Sequence, residues 1–190
     1  MKFSELKMTK VDDDVFFSLT PSHEGGHVVV AWDQRENVTG VRLVAIPIQR
    51  DGRTGARYKA YTQYGNSQVD PIVVPTKEQI EKATPEEKYR VAVRLAGGIA
   101  GTKVAGIDLM EIEDAAARVD IEVIKSFGFN DEDVERFIIE AIDVLKRHEV
   151  GFVRIRSEIE KEARYYINES PLMEGSRLLI TKKRIRELLR

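Results

Sequence analysis

The chain contains no cysteine at all. Disulfide bonds and zinc sites built on thiolates are therefore excluded, and any bound metal ion must be held by histidine, aspartate or glutamate. Histidine is scarce as well, with three copies among 190 residues. The search for metal ligands or for an imidazole base is thus confined to very few positions.

Long hydrophobic runs are missing too. Apolar runs such as residues 28–32 and 43–48 are far shorter than the roughly 20 residues that cross a bilayer. Charges are scattered through residues 1–7, so this segment does not read as a secretory signal. These features predict no membrane insertion and a cytoplasmic location.

A basic stripe is also lacking. The net charge is -2, and residues of both signs are mixed along the chain. Proteins that bind nucleic acids usually carry a patch or stripe of lysine and arginine. Nucleic acid is therefore not an expected partner.

The residues that are present suffice for a folded domain. Hydrophobic residues make up 42% of the 190 positions, and this length is typical of one domain. We predict a single, mainly α-helical domain over residues 1–190, with an N-terminal extension at 1–19 and a C-terminal helical hairpin at 130–190. A small β-hairpin is predicted at 41–49 and 56–64, where two β-rich stretches flank a glycine-containing loop.

Capping residues indicate where the helices begin and end. Thr20 followed by Pro21 predicts the start of a first helix that runs to about Trp32. Thr84 and Glu87 form a capping-box pattern for a later helix. A helix is predicted at 109–127, with Gly128 as its C-cap and four residues on its buried face: Ile112, Ala116, Val119 and Val123. After Asn130 we predict one long helix, or two helices with a bend at Val150-Gly151. The apolar residues of this segment recur about every 3.5 positions and predict a packed seam: Val134, Ile138, Ala141, Leu145, Phe152, Ile155 and Ile159. A last short helix is predicted at 178–189.

The most informative segment is His23-Glu24-Gly25-Gly26-His27. Two histidines four residues apart on a helix project from the same face, so both can bind one metal ion. The glutamate between them is placed to act as general base towards a water molecule that zinc activates. The pattern predicts that His23 and His27 bind zinc and that Glu24 is catalytic, although cobalt and manganese also suit such ligands.

The two glycines of this segment predict close packing. Each costs a helix about 1 kcal/mol relative to alanine, which suggests that another element approaches the backbone there. The small residues at 96–101 could form the facing helix surface.

A catalytic zinc ion usually has three protein ligands and one open position. Six acidic residues on or beside the helix at 109–127 are candidates for the third ligand: Asp108, Glu111, Glu113, Asp114, Asp120 and Glu122. Asp114 lies on a helical line of apolar residues, where a buried carboxylate requires a cation or a metal. We predict Asp114 as the ligand, with Glu113 and Asp108 in reserve and a salt bridge to arginine as the alternative explanation. His148 falls on an apolar helical seam and is predicted to be a hydrogen-bonded packing residue.

These motifs together resemble the protease domain of the FtsH-type metalloproteases. The zinc helix of that family reads HEAGH. In this chain the zinc motif is followed, in the family's order, by residues 28–31, a strand with Ile46-Pro47, residues 95–100, Asp114 with its alanine-rich helix, residues 126–129 and the terminal helices. The resemblance covers roughly residues 20–190, although the acidic residues before Gly128 do not align position for position with the family's aspartate ligand.

The resemblance implies a zinc metalloendopeptidase of the HEXXH type. FtsH proteins also carry an AAA ATPase, whereas this chain contains no phosphate-binding GxxxxGK[ST] loop. The expected activity is therefore ATP-independent hydrolysis of peptides or unfolded protein segments, and the hexameric rings of the family imply a possible homo-oligomer. The alternative is a protease-derived, non-catalytic binding or structural module. Glu24 favours the enzyme, because a structural zinc ion needs no general base.

Overall fold

The computed structural model of the protein describes residues 10–50, 53–65, 77–107, 115–169 and 174–190. Within these ranges the chain is mainly helical with a small antiparallel sheet, as predicted. A turn of π-helix at Tyr165–Glu169 directly follows the α-helix that ends at Arg164. The elements in chain order are α1 (Lys10–Asp33), β1 (Val38–Arg50), β2 (Arg53–Tyr64), α2 (Lys77–Lys82), α3 (Pro85–Val104), α4 (Ala115–Ser126), α5 (Asp131–Arg147), α6 (Glu149–Arg164), β3 (Gly175–Thr181) and α7 (Lys182–Leu188).

Helix α1 forms the centre of the molecule, and residues 21–31 are all buried. The predicted helix start at Thr20 was wrong, because Pro21 lies inside α1 and residues 10–19 continue the helix towards the N-terminus. Proline cannot donate to the carbonyl four residues earlier, which is that of Phe17. The hydroxyl of the next residue, Ser22 Oγ, donates to the carbonyl of Ser18 at 3.0 Å. Phe17 is buried in the core on this earlier part of the helix. Its burial favours continuation of α1 through the proline.

The sheet has the strand order β2-β1-β3, and both pairs are antiparallel. The predicted hairpin of β1 and β2 is confirmed, with both strands longer than expected. The helix predicted from Leu178 was wrong in its first part, since β3 occupies Gly175–Thr181 and α7 begins only after it. Leu179 and Ile180 are buried on β3 beside β1. Pairing with a distant strand thus determines the conformation of this short apolar run.

Helices α1 and α3 approach each other through glycine. A Cβ atom on Gly26 would lie 1.9 Å from the carbonyl oxygen of Gly97, and one on Gly101 would lie 2.2 Å from the carbonyl oxygen of Ser22. Only glycine permits backbones this close. The predicted fit between the two glycine-containing segments is therefore confirmed, and the capping box of Thr84 and Glu87 at the start of α3 is confirmed as well.

The core lies on both sides of α1. One cluster joins α1 with α3, α4 and α5, and the other joins α1 with the sheet, α6 and α7. The predicted seam of the C-terminal helices is confirmed, because all seven of its apolar residues are buried: Val134, Ile138, Ala141, Leu145, Phe152, Ile155 and Ile159. The bend predicted at Val150-Gly151 lies instead at His148, which separates α5 from α6.

The buried face of α4 agrees with the prediction at Val123, which is buried, and differs from it at Val119. Val119 is 39% exposed, whereas Ala117, Asp120 and Ile124 are buried. These three residues are spaced by three and four positions and therefore share one helix face. Gly128, which follows α4, adopts a φ of +95°, as expected for a glycine at a helix C-terminus.

Helix α1 is followed by Arg35, which has a left-handed backbone conformation. The amide of Glu36 donates to the carbonyl of Ala31 at 2.8 Å, and the amide of Arg35 donates to the carbonyl of Trp32 at 2.9 Å. Arg35 has a φ of +60°, a left-handed conformation that costs a residue other than glycine about 1 kcal/mol or more. None of the helices in the described ranges is both long enough and apolar enough to cross a membrane.

Candidate metal centre

Three side chains from two helices that are far apart in sequence lie close together. Nε2 of His23 and Nε2 of His27 lie 3.0 Å apart on α1. Oδ2 of Asp120, on α4, lies 3.1 Å from the first nitrogen and 3.3 Å from the second. All three residues are buried, and together they form a group that could hold a metal ion. The two imidazoles lie side by side on one face of α1, as their spacing predicts, and their binding of zinc stays a prediction.

The hydrogen bond of His27 determines which of its nitrogens faces the group. Nδ1 of His27 lies 2.9 Å from the backbone carbonyl of Arg94 on α3. A carbonyl can only accept, so Nδ1 must carry the proton and donate. In the neutral ring, Nε2 is then left with a lone pair that points towards Asp120. Such an outer hydrogen bond fixes both the tautomer and the orientation of a metal-binding histidine.

The Asp120 carboxylate requires a cation in this position. It is 8% exposed, and its Oδ2 atom has no hydrogen-bond partner among the described residues that meets normal geometry. A buried carboxylate is costly without a cation beside it, and here it faces the imidazole nitrogens of His23 and His27 instead of solvent. Burial alone would raise the pKa of Asp120, but the neighbouring His27 and His23 lower it to about 2.

The metal-free site would therefore hold a proton where a metal ion could bind. Burial alone would lower the pKa of His27, but the Asp120 carboxylate outweighs burial and raises it to about 9. A proton on Nε2 satisfies the same lone pairs that a divalent ion would satisfy. Three donors bound tetrahedrally to one zinc ion lie roughly 3.3 to 3.5 Å apart, and the donor set of two imidazoles and one carboxylate suits zinc.

Glycine makes room for the two imidazoles. A Cβ atom on Gly98 of α3 would lie 2.6 Å from Cε1 of His23 and 2.6 Å from Nε2 of His27. Real Cβ atoms do not come this close to a ring, so alanine would require the rings to move. The same glycine-rich segment that lets α1 and α3 approach also leaves space for the metal ligands.

Glu24 is held by the neighbouring strand. Oγ1 of Thr62, on β2, donates to Oε2 of Glu24 at 2.8 Å, and both residues are buried. Glu24 follows His23 directly on α1, so its carboxylate reaches the region between the helix and the sheet. Sequence reasoning did not identify Thr62, because its partner lies on another element and the strand pattern alone carries no sign of this contact.

Arg94 connects the site to the end of α1. Its carbonyl binds His27, while its guanidinium pairs with Glu36 and lies 4.1 Å from the centre of the Tyr64 ring. Burial raises the pKa of the Tyr64 phenol well above its usual range, so the hydroxyl is neutral at every physiological pH. The contacts of Arg94 with Glu36 and Tyr64 hold the turn of α3 whose Arg94 carbonyl accepts the hydrogen bond of His27.

The acid that lies beside the two histidines among the described residues is not the one chosen from the sequence. Asp114, Glu113 and Asp108 lie outside the described residues, so the assignment of Asp114 stays a prediction. The structure places Asp120, another of the six acidic candidates, beside the two histidines. The sequence contains a pattern that could have identified Asp120. Ala117 lies three positions before it and Ile124 four positions after it, so the three residues share one helix face, and all three are buried.

His148 does not belong to this group. Its Nε2 atom lies 2.8 Å from Oδ1 of Asp33 at the end of α1. The prediction of a hydrogen-bonded packing histidine is confirmed. No protein-family model matches this chain, and no curated protein matches it either.

Proposed function

We propose that the protein is a zinc metallopeptidase that hydrolyses peptide bonds without ATP. The observation that carries this proposal is the buried triangle of two imidazole nitrogens and one carboxylate oxygen, with sides of 3.0 to 3.3 Å. His23, His27 and Asp120 would hold the ion. Three ligands leave a fourth position open, as catalytic rather than structural zinc sites require.

When bound in such a site, zinc lowers the pKa of water to about 7 and polarises a carbonyl oxygen. The residues of the chain supply the remaining functions. Asp120 contributes a negative charge that partly neutralises the ion, and the Arg94 carbonyl keeps His27 in the tautomer whose Nε2 can bind. Glu24 Oε atoms accept a proton from the attacking water and later donate it to the leaving amine.

Thr62 has a positioning role in this scheme. Its hydroxyl fixes Oε2 of Glu24, so rotation of the carboxylate away from the site is restricted. A correctly oriented base contributes to the rate because proton transfer requires hydrogen-bond distance to the water. Thr62 thereby couples β2 to the chemistry on α1.

The substrate is expected to be a peptide or an unfolded segment. Within the described residues, β2 has β1 on one side and no strand on the other. An extended peptide could add to this outer edge by main-chain hydrogen bonds, close to Thr62 and Glu24. A folded protein offers no such free segment, so we expect it to resist cleavage.

The test is a comparison of Glu24→Gln with the wild-type protein. Zinc content per chain and cleavage of an unfolded, fluorescently labelled protein would be measured on the same preparations. We expect the variant to retain zinc and to lose cleavage by at least about 100-fold, as general bases contribute 10²–10⁴-fold. Equal residual cleavage in both proteins would reject the enzyme and favour the non-catalytic module.

A further inference from the structure

A cleft lies at the C-terminal end of α1, and none of its lining residues belongs to the metal centre. It has a volume of about 520 Å³ and is bounded by the end of α1, the start of β1, His148 and α7. Pockets of 300 to 1,000 Å³ are typical for small ligands. The size therefore fits a metabolite and not a long peptide.

The positive charges of the cleft exceed its negative charges. Arg35, Lys182 and Arg186 line it. Among the described residues, Arg35 and Arg186 have no carboxylate within ion-pair distance, and Lys182 donates to the uncharged amide oxygen of Asn37. The cleft thus presents three cations that no acidic residue of the described chain neutralises.

The two acidic residues of the cleft are already engaged. Asp33 accepts hydrogen bonds from Arg147 at 3.1 Å and from His148 at 2.8 Å. Glu36 is paired with the guanidinium of Arg94. Their charges are therefore balanced by residues other than the three cations, and an anionic ligand would not be repelled by free carboxylates.

The backbone of Arg35 supports a role for its side chain. A φ of +60° at the end of a helix favours glycine, yet the chain has arginine there. Glycine would form the same helix end without strain. A strained residue beside a cleft is a reason to look for function, and here the retained group is a guanidinium, which matches phosphate oxygens with paired hydrogen bonds.

One wall of the cleft is apolar and carries the single tryptophan of the chain. Trp32, Val38 and Ile185 line this wall. Val38 and Ile185 are buried, while Trp32 is only partly buried. An indole that is accessible from a cleft offers a surface on which a planar ring can stack.

We propose that this cleft binds a small phosphorylated compound with a planar ring, of the size of a mononucleotide. The phosphate would contact Arg35, Lys182 and Arg186, and the ring would lie against Trp32. The proposal does not depend on zinc or on peptidase activity, so it can be tested with the metal centre loaded or empty.

The single tryptophan allows a direct test by fluorescence. Adenosine 5′-monophosphate, inorganic phosphate and adenosine would be titrated into the full chain, with calorimetry as an independent readout. We expect a saturable change with the nucleotide, at least about tenfold weaker binding of phosphate, and no binding of adenosine. Phosphate lacks the ring, and loss of base stacking on an aromatic side chain corresponds to about tenfold in affinity or more.

Variants separate binding from folding. Arg35→Gly should keep or raise the melting temperature, because glycine suits the left-handed conformation, and should weaken nucleotide binding at least about tenfold. Arg186→Gln should weaken it similarly. Lys103→Gln is the matched control, since Lys103 is an exposed cation on α3 and should bind like the wild type.

Three results would overturn the proposal. The first is no saturable change or heat with any of the three compounds. The second is unchanged nucleotide affinity in both Arg35→Gly and Arg186→Gln. The third is equal affinity for phosphate and nucleotide, which would show that Trp32 does not contact a ring and that the cleft takes only a bare anion.

Discussion

A Cβ atom on Gly98 would lie 2.6 Å from Nε2 of His27, the atom that faces the Asp120 carboxylate. Gly98→Ala should therefore displace the imidazoles and reduce zinc affinity by at least about tenfold, comparable with disruption of outer contacts in other metal sites. Competition with a chelator of known affinity would measure this loss. Alanine itself favours helix by about 1 kcal/mol, so global unfolding is not the expected cause.

Gly25→Ala serves as the control for that prediction. A Cβ atom on Gly25 would lie 3.4 Å from its nearest neighbour, Cε2 of Phe152, which is ordinary contact. Gly25 lies between His23 and His27 in the sequence, and the Gly25→Ala variant should still bind zinc like the wild type. Equal zinc affinities of the two alanine variants would contradict the proposed role of Gly98.

The third ligand is tested by a pair of substitutions. Asp120→Ala should lose zinc, because it removes a ligand atom and leaves two buried imidazoles. The loss should exceed the roughly 10–100-fold effect of outer-shell changes. Asp114→Ala should retain near one zinc per chain, measured by plasma mass spectrometry after dialysis. The reverse result would establish Asp114 as the ligand and reject the assignment of Asp120.

Thr62 is tested through its hydroxyl group. Thr62→Val has nearly the same shape but cannot donate to Glu24, so kcat should fall, on the order of tenfold for one lost hydrogen bond to a charged group. Zinc content and KM should change little. Thr62→Ser retains the hydroxyl and should restore most of kcat, whereas equal defects in both variants would indicate that Thr62 acts only through packing.

The stability of the metal-free protein should depend on pH through the His27–Asp120 pair. Since the pKa of His27 is raised from 6.5 to about 9, its stabilisation is complete below about pH 6.5 and is lost as the pH rises through 9. Since the pKa of Asp120 is lowered from 3.8 to about 2, its stabilisation is present above about pH 3.8 and is lost as the pH falls through 2. The pair therefore stabilises the fold most between about pH 4 and 6.5.

Urea unfolding of the metal-free protein at about pH 5.5 and about pH 9.5 measures this effect. We expect the free energy of unfolding of the wild type to fall by up to about 3 kcal/mol between these two pH values, because the pKa of His27 is raised from 6.5 to about 9. His27→Gln should lose much less. A wild-type stability that rises over the same interval would contradict the pairing of His27 with Asp120.

Much of the local structure follows from short-range patterns. The spacing of His23 and His27 places both imidazoles on one helix face whatever the rest of the fold does. The capping box of Thr84 and Glu87 depends on residues three positions apart, and the glycine after α4 ends that helix through its own backbone. Predictions of this kind succeeded because the interacting groups are close in sequence.

Long-range pairing decided the elements that were predicted wrongly. The apolar run around Ile180 is compatible with either a helix or a strand, and its position beside β1 selects the strand. Pro21 usually marks a helix start, but burial of Phe17 in the core outweighs that preference. Neither influence is visible in the segment itself.

The sequence by itself therefore determined the chemistry that this protein can offer: two imidazoles and a carboxylate on one turn of helix, with no thiolate to compete. The tertiary structure decided that Asp120 lies beside the two imidazoles and that the hydroxyl of Thr62 binds Glu24. Those choices depend on how α4 is rotated about its axis and on how close β2 lies to α1. Burial of Ala117 and Ile124 fixes that rotation and turns Asp120 towards the histidines, because helix packing, unlike helix formation, is set by residues far apart in the chain.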